Sequence, residues 1–205
     1  MKKENSVSAI HILDQATVNQ IAAGEVVERP ASVVKELVEN AIDAGARSIR
    51  IDITSSAKEI LNIRVIDDGS GMSPADALLA FTPHATSKIT RIDDLHRIST
   101  LGFRGEALAS IAAVSRVTLT TRLRNSGEVN GTKVLVAGGK IIETGETGAP
   151  EGTNVVVEDL FFNTPVRKKF QKSKNMEIAQ IHAILEGICL AHPGISFRLY
   201  TNQNE

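Results

Sequence analysis

Three polar residues recur at helical spacing in the stretch V-V-K-E-L-V-E-N-A-I-D-A-G, residues 33–45. Glu36, Asn40 and Asp43 are spaced i, i+4 and i+7, which places them within roughly 60° of one another on a helix. The carboxylate of Glu36 could accept a proton from water, while the amide oxygen of Asn40 ligates a hard cation such as Mg²⁺. The same residues could equally be solvated helix residues, because a motif match is only a hypothesis.

The apolar residues around them predict the helix that must position them. Plotted at about 100° per residue, they form one continuous arc made of Val33, Val34, Leu37, Val38, Ala41 and Ile42. Pro30 suits the first turn of a helix and Gly45 suits the residue just past its end, so we expect a helix from Pro30 to about Ala44. Upstream, the sequence predicts a short helix that ends at Gly24.

A second candidate site follows a predicted β-hairpin. Apolar and polar residues alternate over 49–53 and over 61–65, which is typical of two half-buried strands joined by a short turn. Asp67 ends the second strand and could accept a hydrogen bond from an exocyclic amine. Gly69 and Gly71 would let the backbone turn tightly beside a ligand, although such a motif is more often a plain turn. Pro74 stands where a third glycine would be, which excludes the dinucleotide fingerprint.

A third candidate is the glycine-containing stretch at 101–111. Gly102 and Gly105 flank a turn that leads into a run of helix-forming residues. Such a turn presents N–H groups at the positive end of a helix dipole, which suits phosphate. The chain has no G-x-x-x-x-G-K-[ST], so this is not a P-loop, and the stretch alone could be an ordinary helix entry. His84, in the preceding loop, has no partner at metal-ligand spacing and is expected to be structural.

The bulk composition limits the classes of protein that fit. The 205 residues are 42% hydrophobic and 23% charged, which is ordinary for a globular chain. The net charge of −1 neither requires nor excludes nucleic acid. The single Cys189 excludes an intramolecular disulfide, and no apolar run approaches the length of a membrane span or a signal peptide. Together these features favour a reducing, intracellular setting.

The carboxyl-terminal half is predicted to be mainly strands. Strand patterns occur at 117–121, 133–136, 140–143 and 154–158, separated by glycine turns, and a helix of about four turns precedes a last strand at 195–200. Between Pro165 and Met176 five cations occur with no acid: Arg167, Lys168, Lys169, Lys172 and Lys174. Such a run is usually a solvated helix face, and its functional alternative is contact with phosphates of a nucleotide or of DNA.

In their order along the chain, these motifs resemble the GHKL ATPases, the superfamily of gyrase B, the large heat-shock chaperones, histidine kinases and MutL. The resemblance rests on helical E-x-x-x-N-x-x-D-A, strand-terminal D-x-G-x-G, a Thr-Ser-Lys loop, G-F-R-G-E-A-L and a late G-T. Within the superfamily, Q-I-A-A-G-E-V-V-E-R-P at 20–30, H-A-T-S-K at 84–88 and D-L-F-F-N-T-P at 159–165 are similar to the MutL family of mismatch-repair proteins. The resemblance covers about Ile10 to Tyr200.

The resemblance implies an α/β (α+β) fold, a two-layer sandwich of helices on a mixed, mainly antiparallel sheet, known as the GHKL or Bergerat ATPase fold. Residues 1–9 are expected to be a flexible lead and residues 10–205 the ATPase domain. The downstream domains that in MutL proteins supply a lysine to the γ-phosphate and mediate dimerisation are expected to be absent from this chain.

The resemblance also implies roles. Glu36 would be the general base, Asn40 would hold Mg²⁺, and Asp67 would accept the adenine amino group, with Asp68 tolerated beside it. Residues of the lid, the phosphate loop and the base pocket complete the set expected to bind ATP: Asn40, Asp43, Ala44, Asp67, Gly69, Gly71, Met72, Thr86, Ser87, Lys88, Leu101, Gly102, Phe103, Arg104, Gly105, Glu106, Ala107 and Thr153.

The implied function is a slow, Mg²⁺-dependent ATPase that gates DNA mismatch repair. ATP binding would drive association of two amino-terminal domains, and hydrolysis would reset them. The implied partners are DNA, a MutS-type mismatch sensor and a second copy, in a prokaryotic cytoplasm near the nucleoid. Two alternatives remain open: a nucleotide-gated DNA clamp with negligible hydrolysis, and the ATPase module of a type II topoisomerase.

Overall fold

The computed structural model describes residues 12–86, 101–102 and 105–202. The predicted lead at 1–9 lies outside these residues. Within them the elements, in chain order, are α1 (Gln15–Val26), α2 (Pro30–Asp43), β1 (Ser48–Ser55), β2 (Ile60–Asp67), α3 (Pro74–Leu79), α4 (Ala107–Ala113), β3 (Arg116–Arg122), β4 (Asn130–Ala137), β5 (Lys140–Gly148), β6 (Gly152–Glu158), α5 (Pro165–Lys169), α6 (Lys174–Ala191) and β7 (Ser196–Thr201).

The strands form one seven-stranded sheet in the order β5-β4-β3-β6-β2-β1-β7. All neighbouring pairs are antiparallel except β1 with β7, which run parallel. The sheet is therefore mixed and mainly antiparallel, as the family resemblance implied. Strand β6 comes late in the sequence but lies in the middle of the sheet, between β3 and β2.

The helices pack on one face of this sheet. Helix α2 lies over β1 and β2, α4 lies over β3 and β4, and α6 packs against α2. Buried aliphatic residues alternate with more exposed ones along the central strands, for example Val117 and Leu119 on β3, because successive side chains point to opposite faces. The core is thus a single apolar layer between helices and sheet. Among the described helices, none has the length and apolar character to cross a membrane.

Local sequence signals explain the elements that border the site. Helix α2 begins at Pro30 and buries the predicted apolar arc, including Val34 and Val38 at 0% exposure. Gly45 follows it with φ +71, a conformation that glycine adopts without a steric penalty. At α3 the Ser73 side chain accepts a hydrogen bond from the Asp76 N–H at 3.2 Å and so caps the first turn of the helix.

One expectation about the first helix was wrong. Helix α1 does not end at Gly24 but continues to Val26. The guanidinium group of Arg167 lies against Gly24, at the place that a Cβ atom would occupy. Strand β5 also extends past the predicted Glu143 to Gly148, because its pairing with β4 continues along the hairpin.

Candidate active site

A cavity of about 1200 Å³ lies between α2, the ends of β2 and β6, and the start of α4. Its volume is sufficient for a ligand of nucleotide size. Residues predicted for the site line much of its wall: Glu36, Asn40, Asp43, Ala44, Asp67, Gly71, Met72, Thr86, Leu101, Gly102, Gly105, Glu106, Ala107 and Thr153. Gly69 is not part of the lining, and Ser87, Lys88, Phe103 and Arg104 lie outside the described residues.

The strand end of the cavity consists of Asp67, Gly71 and Thr153. Asp67 and Thr153 are directly paired across β2 and β6, so their side chains share the helix-covered face of the sheet. Burial raises the pKa of the Asp67 carboxyl from 3.8 to about 6, although N–H groups of Gly69 and Thr153 oppose this by donating to it. The Gly69 N–H donates to Asp67 Oδ1 at 2.8 Å. A desolvated carboxylate with capacity left to accept is a site for a hydrogen-bond donor.

Two glycines at this end are required for close packing. A Cβ at Gly69 would lie 2.8 Å from both the Ala44 Cβ and Asp67 Oδ1, so Gly69 supports Asp67 from behind. Gly71 has φ +66, and a Cβ there would collide with the backbone carbonyl of Arg122. The turn is fastened to the end of β3, where the Arg124 N–H donates to the Ser70 carbonyl at 2.8 Å.

Asp68, which the sequence suggested was merely tolerated, has a structural task. Its Oδ1 accepts hydrogen bonds from the N–H groups of Arg47 at 2.7 Å and Ser48 at 2.9 Å, where β1 begins. Burial raises the pKa of Asp68, but these backbone donors outweigh it and lower the pKa below 3.8. Adjacent acids therefore have opposite surroundings: Asp68 holds the hairpin together, while Asp67 faces the cavity.

Helix α2 provides the helix end of the cavity, which consists of Glu36, Asn40 and Asp43. The Glu36 side chain is 27% exposed, and the Lys35 Nζ lies 3.8 Å from its Oε1 and 3.0 Å from a carboxylate oxygen of Glu39. Burial lowers the pKa of Lys35, but hydrogen bonds and charges of Glu39 and Glu36 more than offset this and raise it. The Lys35 ammonium group therefore places a positive charge beside the Glu36 carboxylate.

Asp43 contacts the glycine turn. Its Oδ1 accepts a hydrogen bond from the Leu101 N–H at 2.9 Å, and its Oδ2 accepts one from the Gly102 N–H at 3.3 Å. Asp43 therefore fixes the start of the turn to the end of α2. The other side of the turn packs closely on the preceding loop, because Gly105 has φ +63 and a Cβ there would collide with the Ala85 carbonyl.

His84 has a partner that its sequence neighbourhood did not indicate. Its Nδ1 lies 3.0 Å from Oε1 of Glu106, and both residues line the cavity. The His84 side chain is 80% exposed, so its structural role stays a prediction. Among the described residues, no group of three or more His, Cys, Asp or Glu side chains could hold a metal ion. A cation in this cavity would therefore rely on an oxygen such as that of Asn40, together with oxygens of a ligand and water.

The basic run at 167–174 contains both packed and solvent-exposed side chains. Arg167 is packed against Gly24 of α1, whereas Lys168, Lys169 and Lys172 are exposed. Lys168 Nζ lies 3.3 Å from Oε2 of Glu59. Three exposed lysines remain as an electrostatic patch, so the effective charge available to a partner is smaller than the sequence count suggested.

Comparison with known families identifies the fold and its chemistry. The profile described as histidine kinase-, DNA gyrase B-, and HSP90-like ATPase matches residues 28–143, more than half of the chain. The chain belongs to this ATPase family. The matched range contains α2, β2 with the Asp67 turn, and the glycine turn before α4. The resemblance predicted from these motifs and the GHKL ATPase fold are both confirmed.

Within this ATPase family the chain is similar to MutL proteins. It is 59% identical over 199 residues to DNA mismatch repair protein MutL of Methanoculleus marisnigri, a match that covers 97% of this chain and 34% of the relative. It is 55% identical over 192 residues to MutL of Caldanaerobacter subterraneus subsp. tengcongensis, covering 94% of this chain and 32% of the relative. The chain thus spans about a third of the length of the curated relatives it matches.

Solved structures give the same result. The Aquifex aeolicus MutL ATPase domain complexed with ADP has a TM-score of 0.68 and 34% identity, with 88% of this chain and 62% of that chain covered. The amino-terminal domain of a DNA repair protein has a TM-score of 0.73 and 29% identity, with 90% and 52% covered. These relatives do not favour the topoisomerase alternative. They leave the residue roles to be argued from the cavity itself.

Proposed function

We propose that the chain binds ATP in this cavity and hydrolyses it, as the ATPase domain of a MutL-like mismatch-repair protein. One observation carries the proposal: a single cavity joins a desolvated carboxylate, Asp67, at the strand end to the Glu36–Asn40 pair at the helix end. The first suits a nucleobase and the second suits a triphosphate with its metal. Similarity to an ATPase domain that binds ADP supports this arrangement.

The strand end would recognise adenine. Ionised Asp67 accepts hydrogen bonds and donates none, so it selects a ligand edge with an amino group. Thr153 lies beside it on the neighbouring strand, and Gly71 and Met72 line the wall next to the base. Burial has already removed much of the water around the Asp67 carboxylate. A hydrogen bond from the ligand therefore costs Asp67 little further loss of water.

The helix end would hold the phosphates. The turn at Gly102 and Gly105 lines the cavity, and Asp43 fixes its first residues in place. N–H groups of such a turn can contact phosphate oxygens without a side chain in the way. Thr86 lines the same region. Ser87, Lys88, Phe103 and Arg104 are proposed to complete the loop and the lid on the strength of the sequence resemblance.

Asn40 would supply a protein ligand to Mg²⁺. Its side chain lines the cavity one helical turn from Glu36, and its amide oxygen is the kind of donor that Mg²⁺ accepts beside phosphate and water oxygens. When bound, Mg²⁺ would neutralise charge on the phosphates during hydrolysis.

Hydrolysis then requires positioning and one proton acceptor. Glu36 would orient a water molecule in line with the bond between the γ-phosphorus and the bridging oxygen, and accept its proton as the oxygen of water bonds to phosphorus. The bridging oxygen leaves with ADP, and the products are ADP and inorganic phosphate. The Lys35 Nζ lies 3.8 Å from the Glu36 Oε1, so a positive charge stands beside the proposed base.

The role in repair rests on similarity to MutL proteins. We propose that ATP binding favours association with a second copy, and that the protein engages DNA and a MutS-type mismatch sensor in a prokaryotic cytoplasm. The exposed lysines of the α5 region, Lys168, Lys169 and Lys172, are the proposed DNA contacts. Their charge suits phosphates irrespective of base sequence.

The decisive experiment is single-turnover hydrolysis at high protein concentration with Mg²⁺ and radiolabelled ATP. The wild-type chain should release phosphate. Glu36→Ala should still bind ATP but should release phosphate at least about a hundredfold more slowly, as expected for loss of a general base. Glu143→Ala, on the edge strand β5, serves as the control and should match wild type.

Two other outcomes would change the proposal. ATP binding with no phosphate release by wild type would favour the nucleotide-gated clamp. Equal rates in wild type and Glu36→Ala would refute the role of Glu36.

A further inference from the structure

Thr121, on β3, is a buried polar residue that the nucleotide mechanism does not use. It is 1% exposed and lies at the strand end of the cavity, directly opposite Thr153 in the pairing of β3 with β6. Asp67, Thr153 and Thr121 thus form one row across three neighbouring strands. Asp67 and Thr153 line the cavity, whereas Thr121 lies behind them.

The hydroxyl of Thr121 makes three contacts. It donates to the Gly152 carbonyl at 2.9 Å and accepts from the Met72 N–H at 3.0 Å. Its third neighbour is the hydroxyl of Thr153, with the two oxygens 3.1 Å apart. A hydroxyl has one hydrogen to donate and two lone pairs with which to accept.

This count fixes the direction of the third hydrogen bond. Because the hydrogen of Thr121 is used on Gly152 and one lone pair is used on Met72, Thr121 can only accept from Thr153. The hydroxyl hydrogen of Thr153 therefore points away from the cavity. What Thr153 presents to a ligand is its remaining lone pair.

We propose that Thr121 is a specificity-determining positioning residue, which makes Thr153 a hydrogen-bond acceptor and so selects a 6-amino purine over a 6-oxo purine. The proposal rests on the proposed adenine site. With Thr121 in place, ionised Asp67 and Thr153 are both acceptors, and a 6-amino group satisfies them. A 6-oxo group would present its own acceptor to theirs, leaving buried polar groups unpaired.

The test compares ATP with inosine triphosphate by calorimetric titration of this chain. The base of inosine has a 6-oxo group and an N1–H where adenine has a 6-amino group and an unprotonated N1. Thr121→Val keeps the shape of the side chain but releases the Thr153 hydroxyl to donate. We expect the preference for ATP over inosine triphosphate to fall by about tenfold, the value of one hydrogen bond. Thr121→Ser retains the hydroxyl and should retain the preference, and Thr120→Val, on the opposite face of β3, should leave it unchanged.

A double-mutant cycle tests whether Thr121 acts through Thr153. Thr153→Val should lose the same preference as Thr121→Val, and the double variant should lose no more. Equal weakening of both nucleotides in Thr121→Val would show a merely structural role and overturn the inference. Circular dichroism checks that each variant is folded. If Thr121→Val is not folded, ATP and inosine triphosphate are compared with Thr153→Val instead. An unchanged preference for ATP in Thr153→Val would also overturn the inference.

Failure of the adenine site itself gives a different result. If wild type binds neither nucleotide, the proposed function fails, and the inference about Thr121 fails with it. If wild type prefers ATP and the preference survives in Thr121→Val, only the role of Thr121 is wrong.

Discussion

The strand end and the helix end of the cavity are built in different ways. At the strand end Asp67, Thr121 and Thr153 belong to adjacent strands and are joined by hydrogen bonds to Gly69, Gly152 and Met72. At the helix end Glu36 and Asn40 project from one helix, and the Glu36 side chain is 27% exposed. At the strand end the polar groups are shielded from water and held in place by hydrogen bonds, which suits recognition of a ligand. At the helix end the carboxylate is more open to water, which suits a reaction with water. The comparison predicts that substitutions at the two ends separate affinity from turnover.

Among the substitutions that test this division, Asp67→Asn is expected to have the largest effect. The amide cannot accept as a carboxylate does, so ATP affinity should fall about ten- to a hundredfold, the range for a hydrogen bond to a charged group. The same variant should be more stable than the wild-type chain at neutral and alkaline pH. Since the folded-state pKa of about 6 exceeds the ordinary 3.8, Asp67 destabilises the fold progressively as pH rises through that window.

At pH 8, removing the charge should raise the free energy of unfolding by about 1–2 kcal/mol, allowing for partial solvent access. Calorimetric titration measures the loss of affinity, and urea unfolding measures the gain in stability. An Asn variant that is less stable than wild type at pH 8 would show that Asp67 contributes to the fold rather than to the site.

The pH dependence of binding sharpens the same point. Binding needs ionised Asp67, so affinity for adenosine should be constant above about pH 6.5 and fall about tenfold per unit well below pH 6. Adenosine is the probe because it carries no phosphate that titrates in this range. Calorimetry between pH 5 and 8 measures the profile, and Asp67→Asn should give a flat one. A profile in wild type without this bend would place the titrating group elsewhere.

Asp43→Ala tests the link between the helix end and the glycine turn. Without its carboxylate, the N–H groups of Leu101 and Gly102 lose their acceptors, and the turn loses its attachment to α2. We expect ATP affinity to fall about tenfold while adenosine affinity is retained, because only the phosphates contact the turn. Asp52→Ala, on the open face of β1, is the control. Equal loss for ATP and adenosine would mean that Asp43 supports the whole cavity.

The smallest effect is expected outside the cavity. Replacing Lys168, Lys169 and Lys172 with Ala should weaken DNA binding and reduce its salt slope by up to about 3, since each phosphate contact contributes roughly 0.9. ATP affinity should not change. The control replaces Lys133 and Lys140, on the far strands β4 and β5. If DNA affinity and its salt slope both stay at the wild-type values, the α5 region is a solvated surface.

Local patterns made much of the site predictable. Glu36 and Asn40 belong to one helix, and Asp67 with Gly69 belong to one strand end, so their proximity follows from helix and turn geometry alone. The hairpin of β1 and β2 followed from alternation. The mainly antiparallel arrangement came from the family resemblance, and the sheet confirmed it.

Contacts between distant segments were not predictable. Thr121 meets Met72 across 49 residues and Thr153 across 32, and no periodicity marks such a contact. Gly24 carried a conventional helix-stop signal, yet α1 continues past it to Val26. Asp68 was assigned no function because its acceptor role depends on where β1 begins. The parallel pairing of β7 with β1 likewise depends on the complete sheet.

The central position of β6 has a consequence for synthesis. Until this strand is made, the pair β1–β2 and the three strands β3–β4–β5 have no strand to connect them, and each group presents an unpaired edge. Thr153 and Val155, the last lining residues of the cavity in the sequence, also enter with β6. A nascent chain therefore joins these two groups of strands and completes the cavity wall only once β6 has emerged, and the strand edges exposed before that moment are where a chaperone would be needed.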